Sequence, residues 1–195
     1  MFLNYSAREL NIKIVYCGPD LAGQKTSYQY VRSKFPPQRG EWWHTHSTLV
    51  GRTDSFDFVP PGLGEIRGFK SRIHLFVLVV HVASENTRRL MLKGVDGVIF
   101  VADSQRQCAE DNLSSLEEME RNLVDMGYDP VKLPRVYSYN KRDLPDALPV
   151  EELEKQLNPQ RKYPSFETIA SQGVGVLASL KGVLRAILLD ATQGG

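Results

Sequence analysis

Leu10-Asn-Ile-Lys-Ile-Val-Tyr-Cys17, then Gly18-Pro-Asp-Leu-Ala-Gly23, then Gln24-Lys25-Thr26-Ser27: these eighteen residues decide how the chain is read. The first eight are an apolar strand, the next six a loop bounded by glycines, and the last four open a helix. The glycine spacing is that of the phosphate-binding pattern G-x-x-x-x-G-K-[ST] between a strand and a helix. Backbone N–H groups at such a helix start cradle phosphate by geometry more than by side chain. The side chains depart from the pattern. Gln24 stands where the pattern has lysine, and Lys25 where it has the hydroxyl that ligates Mg²⁺. Glutamine can donate a hydrogen bond but carries no charge. Lys25, one residue further along a helix, points roughly 100° away unless the loop slides its register. Asp20 adds a negative charge inside the loop. On spacing alone, Gly18 and Gly23 read first as a tight strand-to-helix turn.

Outward from the loop, apolar runs alternate with amphipathic stretches, the pattern of a parallel sheet covered by helices. Strands are expected at Leu10–Cys17, Asp54–Pro60, Arg72–Val80, Gly97–Ala102, Arg135–Tyr139 and Ser165–Ala170. Helices are expected at Gln24–Lys34, Glu85–Lys93, Gln105–Met126, Val150–Gln156 and Val174–Leu189. The third of these has Leu113, Leu116, Met119 and Leu123 on one face. Residues 38–53 are polar with no clear period and read as a long loop. Asp54–Pro60 and Arg72–Val80 read as an antiparallel hairpin. The fold class expected is α/β in three layers: a six-stranded, mostly parallel sheet with helices on both faces, in one domain over residues 1–195.

Composition bounds the function classes. The chain has 195 residues, with 24 basic and 23 acidic side chains. Near-neutral charge argues against bulk binding to nucleic acid or a membrane surface. Cys17 and Cys108 stand far apart with no CxxC pattern, which reads as a reduced, cytoplasmic setting without a structural disulfide. Neither a transmembrane helix nor a secretory signal is expected.

The second motif is Asn140-Lys141-Arg142-Asp143, directly after a strand. In N-K-x-D the aspartate accepts from guanine N1–H and N2–H₂, a pair of donors that adenine does not offer. Asn140 is placed to tether neighbouring loops, and the Lys141 stem to cover the face of the base. Ala170-Ser171-Gln172-Gly173 follows the next strand and offers a backbone N–H to guanine O6, with Ser171 at its centre. Alone, the tetrapeptide reads as a solvated turn before a proline. With a glycine loop upstream, it reads as a guanine site. The nucleotide-binding candidates are therefore Gly18, Gly23, Gln24, Lys25, Thr26, Asn140, Lys141, Asp143 and Ser171.

Together these residues resemble a Ras-like small G domain. The closer resemblance is to the bacterial gliding-motility and cell-polarity GTPases, the MglA family. It is carried by Asn11-Ile-Lys-Ile-Val-Tyr, by Phe56-Asp-Phe with Gly64-Glu-Ile-Arg-Gly-Phe-Lys, and by Leu92-Lys-Gly-Val-Asp-Gly-Val-Ile-Phe-Val-Ala-Asp-Ser. Asn140-Lys-Arg-Asp-Leu-Pro-Asp-Ala-Leu-Pro-Val completes it. The match spans nearly the whole chain. The family implies a P-loop G domain, a cytoplasmic switch that binds GTP, and a roadblock-fold (MglB-like) protein partner.

The departures from the family cluster where phosphate is handled. Besides Gln24 and Lys25, the second switch is rewritten. The family's Pro-Gly-Gln supplies an N–H to the γ-phosphate and a side chain that orients water; here Val79-Val80-His81 falls at that place. His81 reads first as the end of a hydrophobic strand and second as a group that orients water. In the first switch, Thr48 falls at the family's Mg²⁺-sensing threonine and Arg52 near its charge-stabilising arginine. Trp42 and Trp43 suggest a contact surface. His44 and His46 lack an acidic or cysteine partner at ligand spacing, so no metal is expected there. The expectation is a degenerate GTPase that binds GTP or GDP weakly, takes Mg²⁺ only with nucleotide, and acts through protein contacts. The alternative is a slow but active GTP-hydrolysing switch.

Overall fold

Strand β2 (Glu9–Cys17) alternates buried and half-buried positions through Ile14, then buries Val15 and Tyr16 in succession. That change in pattern marks where the strand passes from the sheet margin into its centre, with side chains packed on both faces. The computed structural model describes residues 1–35, 43–48, 51–60, 65–66, 68–78 and 85–193, and of residues 43–48, 51–53, 78, 85 and 192–193 the backbone alone.

β2 pairs in parallel with β6 (Phe69–Leu78) on one side and β7 (Gly97–Asp103) on the other. β8 (Arg135–Asn140) and β9 (Ser165–Glu167) continue the parallel array. On the other flank β4 (Gly51–Phe58) runs antiparallel to β6, and β3 (Trp43–Thr48) antiparallel to β4. The order is β3-β4-β6-β2-β7-β8-β9, with β1 (Phe2–Asn4) beside β2 and β5 (Glu65–Ile66) beside β6. The six expected strands are all present. The count is corrected to nine among the described residues, because β1, β3 and β5 join the same sheet. Residues 43–48, expected as loop, form an edge strand whose backbone pairs with β4 from Trp43↔Phe56 to Thr48↔Gly51.

Two apolar layers sandwich this sheet. On one face Ile12, Ile14, Tyr16, Leu75 and Ile99 meet Tyr28 and Val31 of α1 (Gln24–Lys34) and Leu180, Val183 and Ile187 of α5 (Val176–Gln193). On the other, Val15, Phe100 and Tyr137 meet Met91 of α2 (Glu85–Leu92), Leu116, Met119 and Leu123 of α3 (Ala109–Asp125), and Leu153 of α4 (Val150–Leu157). The long helix expected from Gln105 is shortened at its start: Arg106–Cys108 form a 3-10 turn and α3 begins at Ala109.

Toward the β4 edge the second face becomes polar. Asn11, His74 and Asp57 lie on three adjacent strands and bond across them, with His74 Nδ1 2.7 Å from Asp57 Oδ1 and Nε2 2.7 Å from Asn11 Oδ1. Arg72 pairs with Glu9 beside them. Among the described residues no helix is long and apolar enough to cross a membrane.

Candidate functional site

The β2–α1 connection turns on residues with positive φ: Gly18 (138°), Leu21 (62°) and Gly23 (109°). Both glycines are also required by close approach. A Cβ on Gly18 would lie 2.1 Å from the Val101 carbonyl oxygen, and one on Gly23 2.1 Å from Asn140 Nδ2. Gly23 caps α1 with no side-chain hydrogen bond, and the first turn of the helix carries no acidic residue. The N-terminal amides of an α-helix have no intrahelical acceptor, and the helix dipole is positive there. This end of α1 is thus an anion cradle by construction.

Gln24 is the first residue of α1, so in this fold its side chain follows directly after the left-handed glycine. It folds back across the loop: Nε2 donates to the Pro19 carbonyl oxygen at 2.6 Å. Lys25 and Thr26 are exposed, while Ser27 is buried with its hydroxyl unbonded. The loop borders a cavity of about 760 Å³ that reaches to α2 and α3, where Arg88, Glu118 and Asn122 line it. Arg88 pairs with Glu118, and Arg89 Nε donates to Asn122 Oδ1 at 3.1 Å. Lys25 and Thr26 line the same cavity from the loop side. Cys17 lies at the loop's start, where burial pushes its thiol up to about 12.

The second part of the site lies at the C-terminal ends of β8 and β9. Asn140 is buried and holds three segments at once. Its Nδ2 donates to the Ala22 carbonyl oxygen at 2.6 Å, across 118 residues of sequence. Its Oδ1 accepts from the Ala170 N–H at 2.9 Å and from Thr168 Oγ1 at 3.2 Å. The phosphate loop and the Ala170–Gly173 turn are therefore fixed to one side chain. Lys141 follows at φ 63°, and its Nζ donates to Asp103 Oδ2 at 2.5 Å. Asp143 and Ser171 are both exposed.

The chain is 48% identical over 194 residues to the mutual gliding-motility protein MglA of Myxococcus xanthus (strain DK1622), covering 100% of this chain and 99% of that one. The chain belongs to the MglA family of Ras-like small GTPases. No protein-family model matches it. The Gly18–Thr26 loop and the Asn140–Asp143 segment both follow the C-terminal ends of parallel strands, the end of such sheets where ligands generally bind.

Other members of the sequence-derived site fall elsewhere. His81, with Val79 and Val80, lies outside the described residues, as does Trp42. Thr48 ends β3 and Arg52 lies near the start of β4, both beyond the described side chains. Among the described residues no group of three His, Cys, Asp or Glu is placed to hold a metal. Position 25, where the phosphate-binding pattern has a hydroxyl, holds Lys25, which is exposed and offers no oxygen ligand. Reading the sequence did not single out Asp103, Asn112 or Thr168. Asp103 is the one polar residue of an otherwise apolar strand, at its C-terminal end; Asn112, in the first turn of α3, and Thr168, after the short strand Ser165–Glu167, carry no comparable signal.

Proposed function

We propose that the protein is a degenerate member of its family: it holds guanine nucleotide weakly and works as a protein-binding regulator in gliding motility or polarity. The observation that carries this reading is Gln24 at the lysine position, its amide spent on the Pro19 carbonyl. A charged donor to the outer phosphates is worth roughly 1.5–3 kcal/mol, so its loss weakens affinity about 10–100-fold. The base-reading end keeps its residues. Asn140 is bonded to both loops, and Asp143 is exposed where a purine edge can reach it. Base specificity is thus proposed to outlast phosphate affinity. The residues proposed to bind are Gly18, Gly23, Gln24, Lys25 and Thr26 at the phosphates, with Asn140, Lys141, Asp143 and Ser171 at the base.

The partner proposed is a protein, with the roadblock fold as the class the family suggests. Its contact surface would be built from residues 38–53, which include Trp42 and Trp43, together with residues 54–80 and 82–89. Aromatic side chains of this kind anchor interfaces.

Hydrolysis is expected to be absent or very slow, because the second switch lacks both the glycine N–H and the water-orienting glutamine. The test is phosphate release from GTP in Mg²⁺ buffer, with and without a roadblock-fold activator from the same cell. Release indistinguishable from buffer is expected in both cases. Turnover by the wild type that disappears in His81→Ala would establish instead the slow GTP-hydrolysing switch, with His81 orienting the water and Arg52 stabilising charge.

A further inference from the structure

Asp103 ends β7, and the register sets it directly beside Asn140 on β8. It is only 3% exposed. Both carboxylate oxygens are engaged: Oδ2 accepts from Lys141 Nζ at 2.5 Å, and Oδ1 from the Gln105 N–H at 3.0 Å. Its backbone is clamped from α3, where Asn112 Oδ1 accepts the Asp103 N–H at 2.9 Å and Asn112 Nδ2 donates to the Asp103 carbonyl at 2.8 Å. Gln105 Oε1 lies 3.4 Å from the same ammonium. A buried carboxylate costs desolvation that pairing only partly returns, so such a pair is weak evidence for stability. Its effect here is on geometry. Lys141 sits at φ 63°, and its ammonium end is fixed on the Asp103 carboxylate.

We propose that Asp103 is a positioning residue of the nucleotide site: by anchoring the Lys141 ammonium it holds the lysine stem as the wall against which the purine lies. It therefore governs affinity for the nucleoside part of the ligand and leaves the phosphate loop untouched. The inference rests on the guanine reading of the site. No bond joins Asp103 to the loop directly among those described; its route to the ligand runs through Lys141.

The test is a cycle of Asp103→Ala, Lys141→Ala and the double variant. It is read by displacement of a fluorescent GDP analogue with GDP and, separately, with pyrophosphate. A charge-assisted pair is about twice as strong as a neutral one, and release of the lysine is expected to weaken GDP about tenfold. Asp103→Ala in the Lys141→Ala background is expected to change GDP affinity by less than about twofold, because Asp103 acts only through that lysine. Pyrophosphate inhibition is expected to stay unchanged throughout. If Asp103→Ala melts below the working temperature, Asp103→Asn carries the same test with an expected loss of about threefold. Unchanged GDP affinity, equal losses with and without Lys141, or a parallel loss for pyrophosphate would each overturn the inference while leaving the guanine reading in place. A wild type that binds no guanine nucleotide removes that reading, and this inference with it.

Discussion

Replacing Asn140 with alanine is expected to lower the melting temperature of the ligand-free protein by about 4–24 °C. The change deletes one donor and one acceptor atom that serve three buried partners: the Ala22 carbonyl, the Ala170 N–H and the Thr168 hydroxyl. A buried polar group left unsatisfied costs about 1–3 kcal/mol. Thr168 Oγ1 retains Ser138 Oγ at 2.9 Å, so it contributes least. The two backbone groups then set a loss of about 2–6 kcal/mol, at about 2–4 °C per kcal/mol for a domain of this size. Calorimetry on nucleotide-free protein measures it, and a shift within one degree would show that the two loops are held by other contacts. Because Asn140 joins the phosphate loop to the base turn, nucleotide binding is expected to fall below detection in the same variant.

Gln24→Lys together with Lys25→Thr is expected to raise affinity for GTP about 10–100-fold, the inverse of the charge-assisted bond lost at this position. The fold already has the geometry such a lysine needs. Gly23 is left-handed, position 24 opens α1, and its side chain turns back over the loop. Lys25 is exposed, so removing it disturbs no packing. The gain is expected to be accompanied by a stronger dependence on Mg²⁺, since position 25 then offers a hydroxyl. Fluorescence titration of wild type, the single Gln24→Lys and the pair separates the two contributions. Equal affinity for all three would mean that another feature, such as the Asp20 charge, limits binding.

Five of the six main strands and the five helices are legible because each is long enough to show its period, β7 most plainly because only its last residue is polar; β9 ends at Glu167, three residues short of the expected Ser165–Ala170. β3 is not legible: Trp43-His44-Thr45-His46-Ser47-Thr48 has no apolar alternation, since an edge strand needs no such pattern to pair its backbone. β1 is three residues long and takes its register from β2, with little sequence signal of its own. The phosphate loop and N-K-x-D are local motifs and can be read from spacing. The links between them are not local. Asn140 reaches Ala22 across 118 residues, and Asp103 reaches Lys141 across 38, so both arise only once β7 and β8 lie side by side. Asp103 lies within the Leu92–Ser104 stretch that carries the family resemblance but belongs to neither the glycine loop nor N-K-x-D, and its contact with Lys141 appears only when β7 and β8 pair.

The most direct measurement of the central claim is equilibrium titration of the nucleotide-free wild type with a fluorescent GTP analogue, in Mg²⁺ and again in EDTA, with GTP and ATP as competitors. The account predicts a dissociation constant in the micromolar range or weaker, displacement by GTP and not by ATP, and little difference between Mg²⁺ and EDTA. Nanomolar binding that collapses in EDTA would contradict it, and would make Gln24 and Lys25 competent replacements for the residues they displace.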